Sequence, residues 1–350
     1  MQTAPSTANV NTAVTLPALE LPSVVSEVIT AIQEGQRFLM VPHIHIDGDD
    51  LGCMIGLALA LQQLDKEVYL YSTDPVPDRY RSFLHGHELI TSEPPAGPFD
   101  AVFILECPDA GRLPAGFVPK RFTETLITLD HHEDDPNKER LIGNINWVDP
   151  SMSALGEMIA LIIFAMDLDI TDEVATAVYT SIVSDSQAFR FHGVTARTHL
   201  IAAKLLDSAN VDTNLVHNWT ISYRSAQEQQ ATQKCAATRE YICGGQVVLA
   251  ELNRTMLDEA GLKDDTEIQN LLHDLNNENK EAFALFKNID DKNIRVSLRS
   301  KSVPVLPIAQ KFGGGGHALA CAMKFPAAEY DLPAVKALVR AELEKIFSEA

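Results

Sequence analysis

The chain has 350 residues, 46% of them hydrophobic, which suits two domains of ordinary size with a substantial buried interior. No apolar run approaches the ~20 residues that a membrane-spanning helix needs, so we expect no membrane role. The formal net charge of −20 argues against binding to long nucleic acids, because that binding depends mostly on lysine and arginine. A small anionic substrate stays possible, since a few arginines and bound cations can reverse the field inside one cleft.

The N-terminal segment and the cysteines indicate a cytoplasmic protein. Residues 1–21 lack the basic start and the apolar core of a secretory signal, and we interpret them as a flexible tail. The five cysteines are scattered along the chain without a C-x-x-C pair, which fits a reducing compartment.

Helical and strand patterns alternate through the first half of the chain. Apolar runs predict four strands, at Phe38–Val41, Val68–Tyr71, Val102–Leu105 and Leu126–Leu129. Helical spacing predicts four helices around them, at Pro22–Gln36, Leu51–Leu64, Ser153–Met166 and Thr171–Val183. This alternation implies an α/β domain, residues 22–194, with a mostly parallel sheet flanked by helices.

The second half predicts a helical connector and a smaller α/β domain. Helical patterns at Thr195–Leu206 and Ser222–Tyr241 form the connector, residues 195–241, and the second of them is strongly polar. Residues 242–350 then form the smaller domain, with strands and a final helix at Gln246–Leu252, Ala282–Lys287, Ile294–Leu298 and Ala327–Ala350.

Candidate metal ligands follow the predicted strands. His43, Asp47 and Asp49 come after the first strand, Glu106 after the third, and Asp130-His131-His132 directly after the fourth. Ligands of parallel sheets bind beyond the carboxyl ends of the strands, so we expect these side chains to lie close together. Carboxylates with some imidazole suit Mn²⁺ or Mg²⁺ better than the thiolate sites that select zinc.

Each motif alone also has a simpler interpretation. Asp47-Gly48-Asp49 alone is also typical of a solvated turn, although in the metal-binding interpretation Gly48 lets the backbone bend so that the ligands converge. Asp130-His131-His132 alone is also typical of a polar loop. Glu106 could end a strand, and Asp185, after the apolar pair Ile182-Val183, could be a surface residue at a helix end. The joint occurrence of these motifs is what indicates a two-metal phosphate-cleaving centre.

The motifs in this order resemble the DHH phosphoesterases that carry a C-terminal DHHA1 domain. They are His43-x-x-x-Asp47-x-Asp49, an acidic residue after a later strand, Asp130-His131-His132, the lone Asp185, and Gly313-Gly314-Gly315-Gly316-His317. The resemblance extends from about Ser23 to the C-terminus, and the two-domain length is most similar to nanoRNases and pAp phosphatases. It implies a DHH domain at residues 22–194 and a DHHA1 substrate-binding domain at residues 242–350.

The family resemblance implies two divalent cations, usually Mn²⁺, with Mg²⁺ as the alternative. In that arrangement His43 and Asp47 hold one ion, while Asp49, His131 and Asp185 hold the other.

Glu106 occupies the position of the family's bridging carboxylate, where aspartate is usual. Its extra methylene leaves the spacing of the two ions open, and Asp109 is the alternative carboxylate. Asp130, His131 and His132 are the candidate catalytic residues. We expect Asp130 to orient His131 and His132 to face the substrate phosphate or assist the leaving oxygen.

The resemblance also implies a substrate-binding surface in the smaller domain. Arg299 and Ser300 match phosphate-binding residues of the family, and a planar guanidinium suits bidentate phosphate contact. The glycine run could be a flexible linker, but it lies inside a domain, and glycines let backbone N–H groups close on an anion. The candidate residues of this run are Gly314, Gly315, Gly316 and His317. Arg190, shortly after Asp185, is a further candidate for substrate contact.

The leading hypothesis is hydrolysis of short oligoribonucleotides to mononucleotides, with dephosphorylation of adenosine 3',5'-bisphosphate (pAp) as a second activity. We expect the smaller domain to close over the metal-bearing cleft and so to limit substrate length. Alternatives are hydrolysis of linear dinucleotides from cyclic dinucleotide turnover, exonuclease action on single-stranded DNA, and a nucleotide-binding regulator without turnover. A homodimer stays open.

Overall fold

The computed structural model describes residues 21–84, 86–107, 109–133, 143–191, 193–263, 265, 268, 271, 280–290 and 292–348. The predicted tail, apart from Leu21, lies outside these residues. Contacts divide the chain into two units, one ending at Tyr223 and the other beginning at Arg224. The predicted connector boundaries at 195 and 241 stay a prediction. Among the described residues, no helix combines the length and apolar composition that crossing a membrane requires.

The first unit contains a six-stranded sheet in which all neighbouring strands are parallel. The strands are β1 Arg37–Val41, β2 Glu67–Tyr71, β3 Leu89–Ile90, β4 Ala101–Leu105, β5 Leu126–Asp130 and β6 Ile145–Val148. Their order, β3-β2-β1-β4-β5-β6, confirms the predicted α/β class and is that of doubly wound nucleotide-binding sheets. The sequence analysis missed β6, because three of its four residues are only partly buried and Asn146 interrupts the apolar pattern.

Six α-helices lie in the described residues of the first unit. They are α1 Ser23–Glu34, α2 Gly48–Gln62, α3 Leu155–Ala165, α4 Asp172–Asp185, α5 Ala196–Ser208 and α6 Thr213–His217. Helices α2, α3 and α4 pack together in the main core, where Met54, Ile159 and Ile182 are fully buried. The predicted helices therefore exist, with ends shifted by a few residues.

Two glycines let α2 approach α4 closely. A Cβ atom at Gly52 would lie 2.6 Å from the carbonyl oxygen of Ala177, and one at Gly48 would overlap Ser184 and Tyr80. Gly48 is a helical residue of α2, so the prediction that it bends a turn is wrong. Its lack of a side chain instead makes room for α4 beside the site.

The second unit contains a mixed sheet of order β11-β12-β10-β9-β8-β7, in which only β8 and β9 pair in parallel among the described strands. The strands are β7 Glu240–Ile242, β8 Val247–Asn253, β9 Ala282–Asn288, β10 Asn293–Ser300, β11 Gly315–His317 and β12 Ala320–Pro326. The α-helices whose bounds the structure describes are α7 Ala226–Ala237, α8 Arg254–Ala260, α9 Leu306–Lys311 and α10 Leu332–Ser348. Separate apolar clusters cover the two faces of this sheet.

Two predicted helices of the second half are corrected. The pattern Ser222–Tyr241 contains only α7 as an α-helix, because Thr238 ends it and the β-forming residues that follow pair with β8. The final helix begins at Leu332 rather than Ala327. Asp331, just before it, accepts the backbone N–H of Ala334 at 2.8 Å and so marks the start of the helix.

Candidate metal centre

The loop between β1 and α2 carries three predicted ligands. His43 lies two residues beyond β1 and is 5% exposed. Asp47 is the N-cap of α2, and its Oδ1 accepts the backbone N–H groups of Asp49 at 2.9 Å and Asp50 at 3.2 Å. Asp49 is fully buried in the first helical turn. The start of α2 therefore brings these three side chains to the carboxyl end of the sheet.

Asp50 also belongs to the site, although the sequence analysis did not select it. It is fully buried, with Oδ2 3.2 Å from Nδ1 of His43 and 3.4 Å from the backbone N–H donor of Asp47. Carboxylates commonly orient a histidine ligand by accepting the N–H of the ring nitrogen that does not bind the metal. Asp50 is placed to orient His43 in this way. The spacing Asp47-x-x-Asp50 of the helix capping box was the signal that could have identified it.

Asp74 stabilises the same loop from the end of β2. Its Oδ2 accepts the backbone N–H of His45 and, at 3.3 Å, that of Ile46. His45 has a left-handed φ of 68°, a conformation that costs a residue with a side chain ~1–2 kcal/mol. The two hydrogen bonds to Asp74 stabilise this conformation. They therefore hold the loop between His43 and Asp47 in place.

Glu106 lies immediately after β4, at the point where the strand order of the sheet reverses. It has a φ of 52°, its side chain is 2% exposed, and its backbone N–H donates to Leu129 of β5 at 3.0 Å. Strand β1 pairs with β4, with Val41 opposite Ile104, so His43 and Glu106 leave neighbouring strands. The crevice at such a reversal is the usual ligand site of doubly wound sheets.

His131 directs one ring nitrogen at three carboxylates. Its Nδ1 lies 3.2 Å from the carbonyl oxygen of Met152, which can only accept, so the proton of this hydrogen bond belongs to Nδ1. Its Nε2 lies 3.1 Å from Oε1 of Glu106, 3.4 Å from Oδ2 of Asp185 and 3.8 Å from Oδ2 of Asp49. Nε2 is therefore the atom that can act as a metal ligand.

The predicted partner of Asp130 is corrected. Oδ1 of Asp130 accepts from the backbone N–H of His132 at 3.0 Å and lies 2.8 Å from Nδ1 of the same residue. Consecutive side chains at a strand end point to opposite sides, so Asp130 meets His132 rather than His131. Met152 instead orients His131.

Asp185 is the last residue of α4, and a left-handed turn follows it. The three residues Gln187–Phe189 have φ values of 49°, 54° and 63°. The backbone N–H of Arg190 donates to the carbonyl oxygen of Ser186 at 2.9 Å, and its side chain is exposed. Arg190 is thus presented at the surface five residues beyond Asp185.

In the part of the chain that the structure describes, two groups of three side chains could each hold a metal ion, and Glu106 belongs to both. One group is His43, Asp47 and Glu106, and the other is Asp49, Glu106 and His131; within each, one ligand atom per residue lies within 4.8 Å of the others. This arrangement agrees with the bridging position that the family resemblance implies for Glu106.

Two predicted carboxylates lie outside these groups. Oδ2 of Asp185 is 3.4 Å from Nε2 of His131, close to the second group. Oδ1 of Asp109 accepts the backbone N–H of Gly111 at 3.0 Å and caps the short 3-10 helix Ala110–Arg112. Glu106 therefore fits the bridging position better than Asp109 does.

The site has the donor atoms that a divalent cation needs. Among the described residues, Glu106 Oε1 and His131 Nε2 are two buried atoms here that have no hydrogen-bond partner. His131 Nε2 and Glu106 Oε1, one potential ligand atom from each residue, lie 3.1 Å apart. Neighbouring ligands at ~2.1 Å from an octahedral ion are roughly 3.0 Å apart, so this distance fits one shared cation.

The electrostatics of the site also favour a cation. Burial, with Asp49 and Asp50 nearby, raises the pKa of Glu106 well above its ordinary value. Burial and the charges of Asp49 and Asp47 raise the pKa of Asp185 to about 8. Burial and the charge of Arg112 lower the pKa of His43 to about 4, so its imidazole is neutral at pH 7, as a ligand must be.

In the second unit, strand register brings two predicted substrate-binding residues into one row. Arg299 of β10 and His317 of β11 both lie directly opposite Ala320 of β12. Residues opposite one another point to the same face, and two strand spacings separate the outer pair by roughly 10 Å. Arg299 and His317 are exposed, with a small side chain between them, which leaves room for an anionic group.

Ser300 and the glycines shape the surroundings of this row. The Ser300 hydroxyl lies 3.4 Å from Glu281 and accepts the backbone N–H of Val303 at 3.2 Å. Gly315 and Gly316 belong to β11, so the run is not a linker. A Cβ atom at Gly316 would lie 2.6 Å from the carbonyl oxygen of Ala320, and one at Gly314 would overlap that of Ala322. Both positions therefore need glycine for close strand pairing.

Two protein-family models match the chain. The model of the DHH family N-terminal domain matches residues 37–182, and the model of the DHHA1 domain matches residues 246–345. The chain carries a DHH domain followed by a DHHA1 domain. The resemblance expected from the motifs is confirmed.

Curated relatives align with most of this DHH protein. A Thermus thermophilus protein named bifunctional oligoribonuclease and PAP phosphatase NrnA is 28% identical over 295 residues, covering 84% of this chain and 85% of the relative. A protein of that name from Bacillus subtilis is 24% identical over 310 residues, covering 84% of this chain and 91% of the relative. The predicted enzyme class, hydrolases of phosphate esters, agrees with these names.

A solved structure shares the fold of the DHH protein. The crystal structure of an exopolyphosphatase-related protein from Bacteroides fragilis superposes with a TM-score of 0.73 at 17% sequence identity. The alignment covers 95% of this chain and 99% of that chain. The predicted succession of a DHH domain and a smaller α/β domain is therefore confirmed as a fold.

Proposed function

We propose that this protein is a metal-dependent phosphoesterase that hydrolyses short oligoribonucleotides to mononucleotides and removes a terminal phosphate from pAp. The sharing of Glu106 by two groups of potential ligands is the observation that carries the proposal. The names of the curated relatives supply the substrate class. We expect Mn²⁺, with Mg²⁺ as the alternative, because the donors are carboxylate oxygens and imidazole.

Two divalent cations would supply an activated water and neutralise charge on the phosphoryl oxygens. The residues of the chain orient the reacting groups, and none is required as a covalent nucleophile. Asp130 holds Nδ1 of His132, which leaves Nε2 of His132 as the atom that carries a proton to the leaving oxygen. Burial of Glu106 and Asp49 keeps the ligand positions rigid.

The DHHA1 domain supplies the phosphate-binding groups in this proposal. Arg299 binds a substrate phosphate through its guanidinium, and His317 approaches from the other end of the row. Ser300 and the backbone of Gly314–Gly316 are further candidates for phosphate contact, and Arg190 is a further candidate for substrate contact from the DHH domain. The net charge of −20 agrees with a short substrate rather than a long strand.

The direct test is mononucleotide release from a diribonucleotide, and AMP release from pAp, by metal-stripped protein supplied with Mn²⁺. We expect turnover only with the cation, and none above background after Asp130→Ala combined with His131→Ala. Full turnover by that double variant would refute the proposal.

Substrate comparisons separate the alternatives. Faster cleavage of a two-residue than of a twenty-residue RNA supports the proposal, whereas preference for the longer strand or for single-stranded DNA supports an exonuclease. A marked preference for linear dinucleotides derived from cyclic precursors would identify these as the substrate instead. Tight nucleotide binding without hydrolysis would indicate a regulator. The cytoplasmic location and a homodimer stay predictions, for cell fractionation and light scattering to test.

A further inference from the structure

The segment of residues 151–155, which runs from the loop after β6 into the first residue of α3, supplies two backbone groups to the metal centre. The carbonyl oxygen of Met152 accepts from Nδ1 of His131 at 3.2 Å, and the backbone N–H of Leu155 donates to Oδ2 of Asp49 at 2.9 Å. The path of this loop therefore sets the orientation of two candidate ligands.

Glu157, in the first turn of α3, holds the middle of this loop. Its side chain is fully buried, and Oε1 accepts from the backbone N–H of Ser153 at 2.8 Å and from the Ser153 hydroxyl at 2.7 Å. The hydroxyl of Thr198 donates to the same oxygen at 2.8 Å. A buried carboxylate is costly unless it is paired and hydrogen-bonded, so this arrangement is specific rather than incidental.

Arg197 of α5 connects Glu157 to Ser151, the residue that precedes Met152. Its Nε donates to Oε2 of Glu157 at 2.9 Å, and its Nη2 donates to the carbonyl oxygen of Ser151 at 2.6 Å. Residues 151 and 153 are thus held by one ion pair whose carboxylate is fully buried. Met152, between them, is left little freedom to move its carbonyl group.

We propose that Glu157 is a positioning residue for the metal centre. Together with Arg197 and Thr198, it fixes the Met152 carbonyl so that His131 keeps its proton on Nδ1 and directs Nε2 toward the ligand cluster. A neutral imidazole carries one proton, so the Met152 hydrogen bond selects the tautomer whose Nε2 can bind a cation. Partners that orient metal ligands in this way typically contribute ~10–100-fold in metal affinity.

The main test compares full-length wild type with Glu157→Gln, which keeps the size of the side chain but removes the charge that holds Arg197. Calorimetry measures Mn²⁺ affinity, and NMR of ¹⁵N-histidine-labelled protein follows the Nδ1–H signal of His131, assigned by its loss in His131→Gln. We expect Mn²⁺ affinity to fall roughly 10–100-fold and the Nδ1–H signal to broaden through exchange with water. Wild-type affinity together with an unchanged Nδ1–H signal would overturn the proposal.

A second pair of variants covers the case in which Glu157→Gln fails to fold. Thr198→Val removes one hydroxyl donor to Glu157, whereas Thr198→Ser keeps it. Weaker Mn²⁺ binding by Thr198→Val, with binding by Thr198→Ser as in wild type, supports the proposal, and equal binding by both refutes it. Both readouts, Mn²⁺ affinity and the Nδ1–H signal, are measured without substrate. If the wild-type protein cleaves no dinucleotide, the proposed function is wrong. Mn²⁺ affinity still tests the role of Glu157 in that case.

Discussion

The DHH domain buries or partly buries its candidate metal ligands, whereas the DHHA1 domain exposes Arg299 and His317 on strands. In the DHH domain, hydrogen bonds from side chains and from the backbone fix atoms such as His131 Nε2 and Asp49 Oδ2. In the DHHA1 domain, pairing with β12 alone places Arg299 and His317 on one face. A cation site needs donor atoms at fixed distances, while a phosphate surface needs only the right face and spacing. Substitutions should therefore affect the two sites by different routes.

The largest effect is expected at the ligand that both groups share. Glu106→Gln removes a charged donor from each group, so Mn²⁺-dependent turnover should fall by at least ~100-fold, more than the loss of an orienting partner typically costs. Asp109→Asn is the matched control, because Asp109 caps a 3-10 helix nearby, and its turnover should stay close to wild type. The reverse pattern would move the bridging role to Asp109.

A smaller loss is expected at the exposed row of the DHHA1 domain. Arg299→Ala should lower kcat/KM by ~10–100-fold, since a hydrogen bond to a charged group contributes ~1.5–3 kcal/mol. Arg295→Ala is the control on the same face of β10, where Arg295 pairs with Asp265 at 2.9 Å. Steady-state kinetics on a diribonucleotide measures kcat/KM of both variants. Equal losses of kcat/KM in the two variants would show that Arg299 does not contact the substrate.

The glycine strand tests whether backbone fit shapes this surface. Gly316 has a φ of 132°, and an added Cβ atom would lie 2.6 Å from the carbonyl oxygen of Ala320, so Gly316→Ala should destabilise the fold by roughly 1–3 kcal/mol. An added Cβ atom at Gly315 meets no atom within 4 Å, and Gly315→Ala should be nearly neutral. Chemical denaturation measures both, and equal stability of the two variants would contradict the argument.

The smallest effect concerns an ion pair away from both sites. Burial alone would raise the pKa of Asp265, but hydrogen bonds from Lys287 and Arg295, at 2.8 and 2.9 Å, hold it below its ordinary value. Because the folded-state pKa is depressed, this stabilisation is present above the unfolded value of ~3.9 and is lost as pH falls through the folded value.

We therefore expect Asp265→Asn to lower the free energy of unfolding by roughly 0.5–1 kcal/mol at pH 7, with the deficit shrinking as pH falls from about 5 to 3. Urea denaturation across this range measures the difference. A deficit that is independent of pH would show that the pair contributes through packing instead.

Sequence patterns located the candidate ligands because several of them directly follow a strand or end a helix, as His43, Glu106 and Asp185 do. They also predicted the parallel sheet, since buried parallel strands are short apolar runs. They could not predict the role of Met152 or Leu155, whose contribution is a backbone atom with no side-chain signature.

Residues that act through tertiary contacts were equally hidden. In the sequence, Glu157 has no feature that distinguishes it from any polar residue of an apolar helix. Its partners Arg197 and Thr198 lie about forty residues further along the chain. The strand β6 was missed because its pattern is short and interrupted. Long-range contacts, rather than local propensity, decide these features.

The most direct test of the shared-ligand site is a crystal structure of Mn²⁺-loaded protein, with data collected at the manganese absorption edge. We predict two anomalous peaks ~3.5–4 Å apart, with Glu106 bound to both and His131 Nε2 bound to one. A single peak away from Glu106, or no peak among these side chains, would contradict the account.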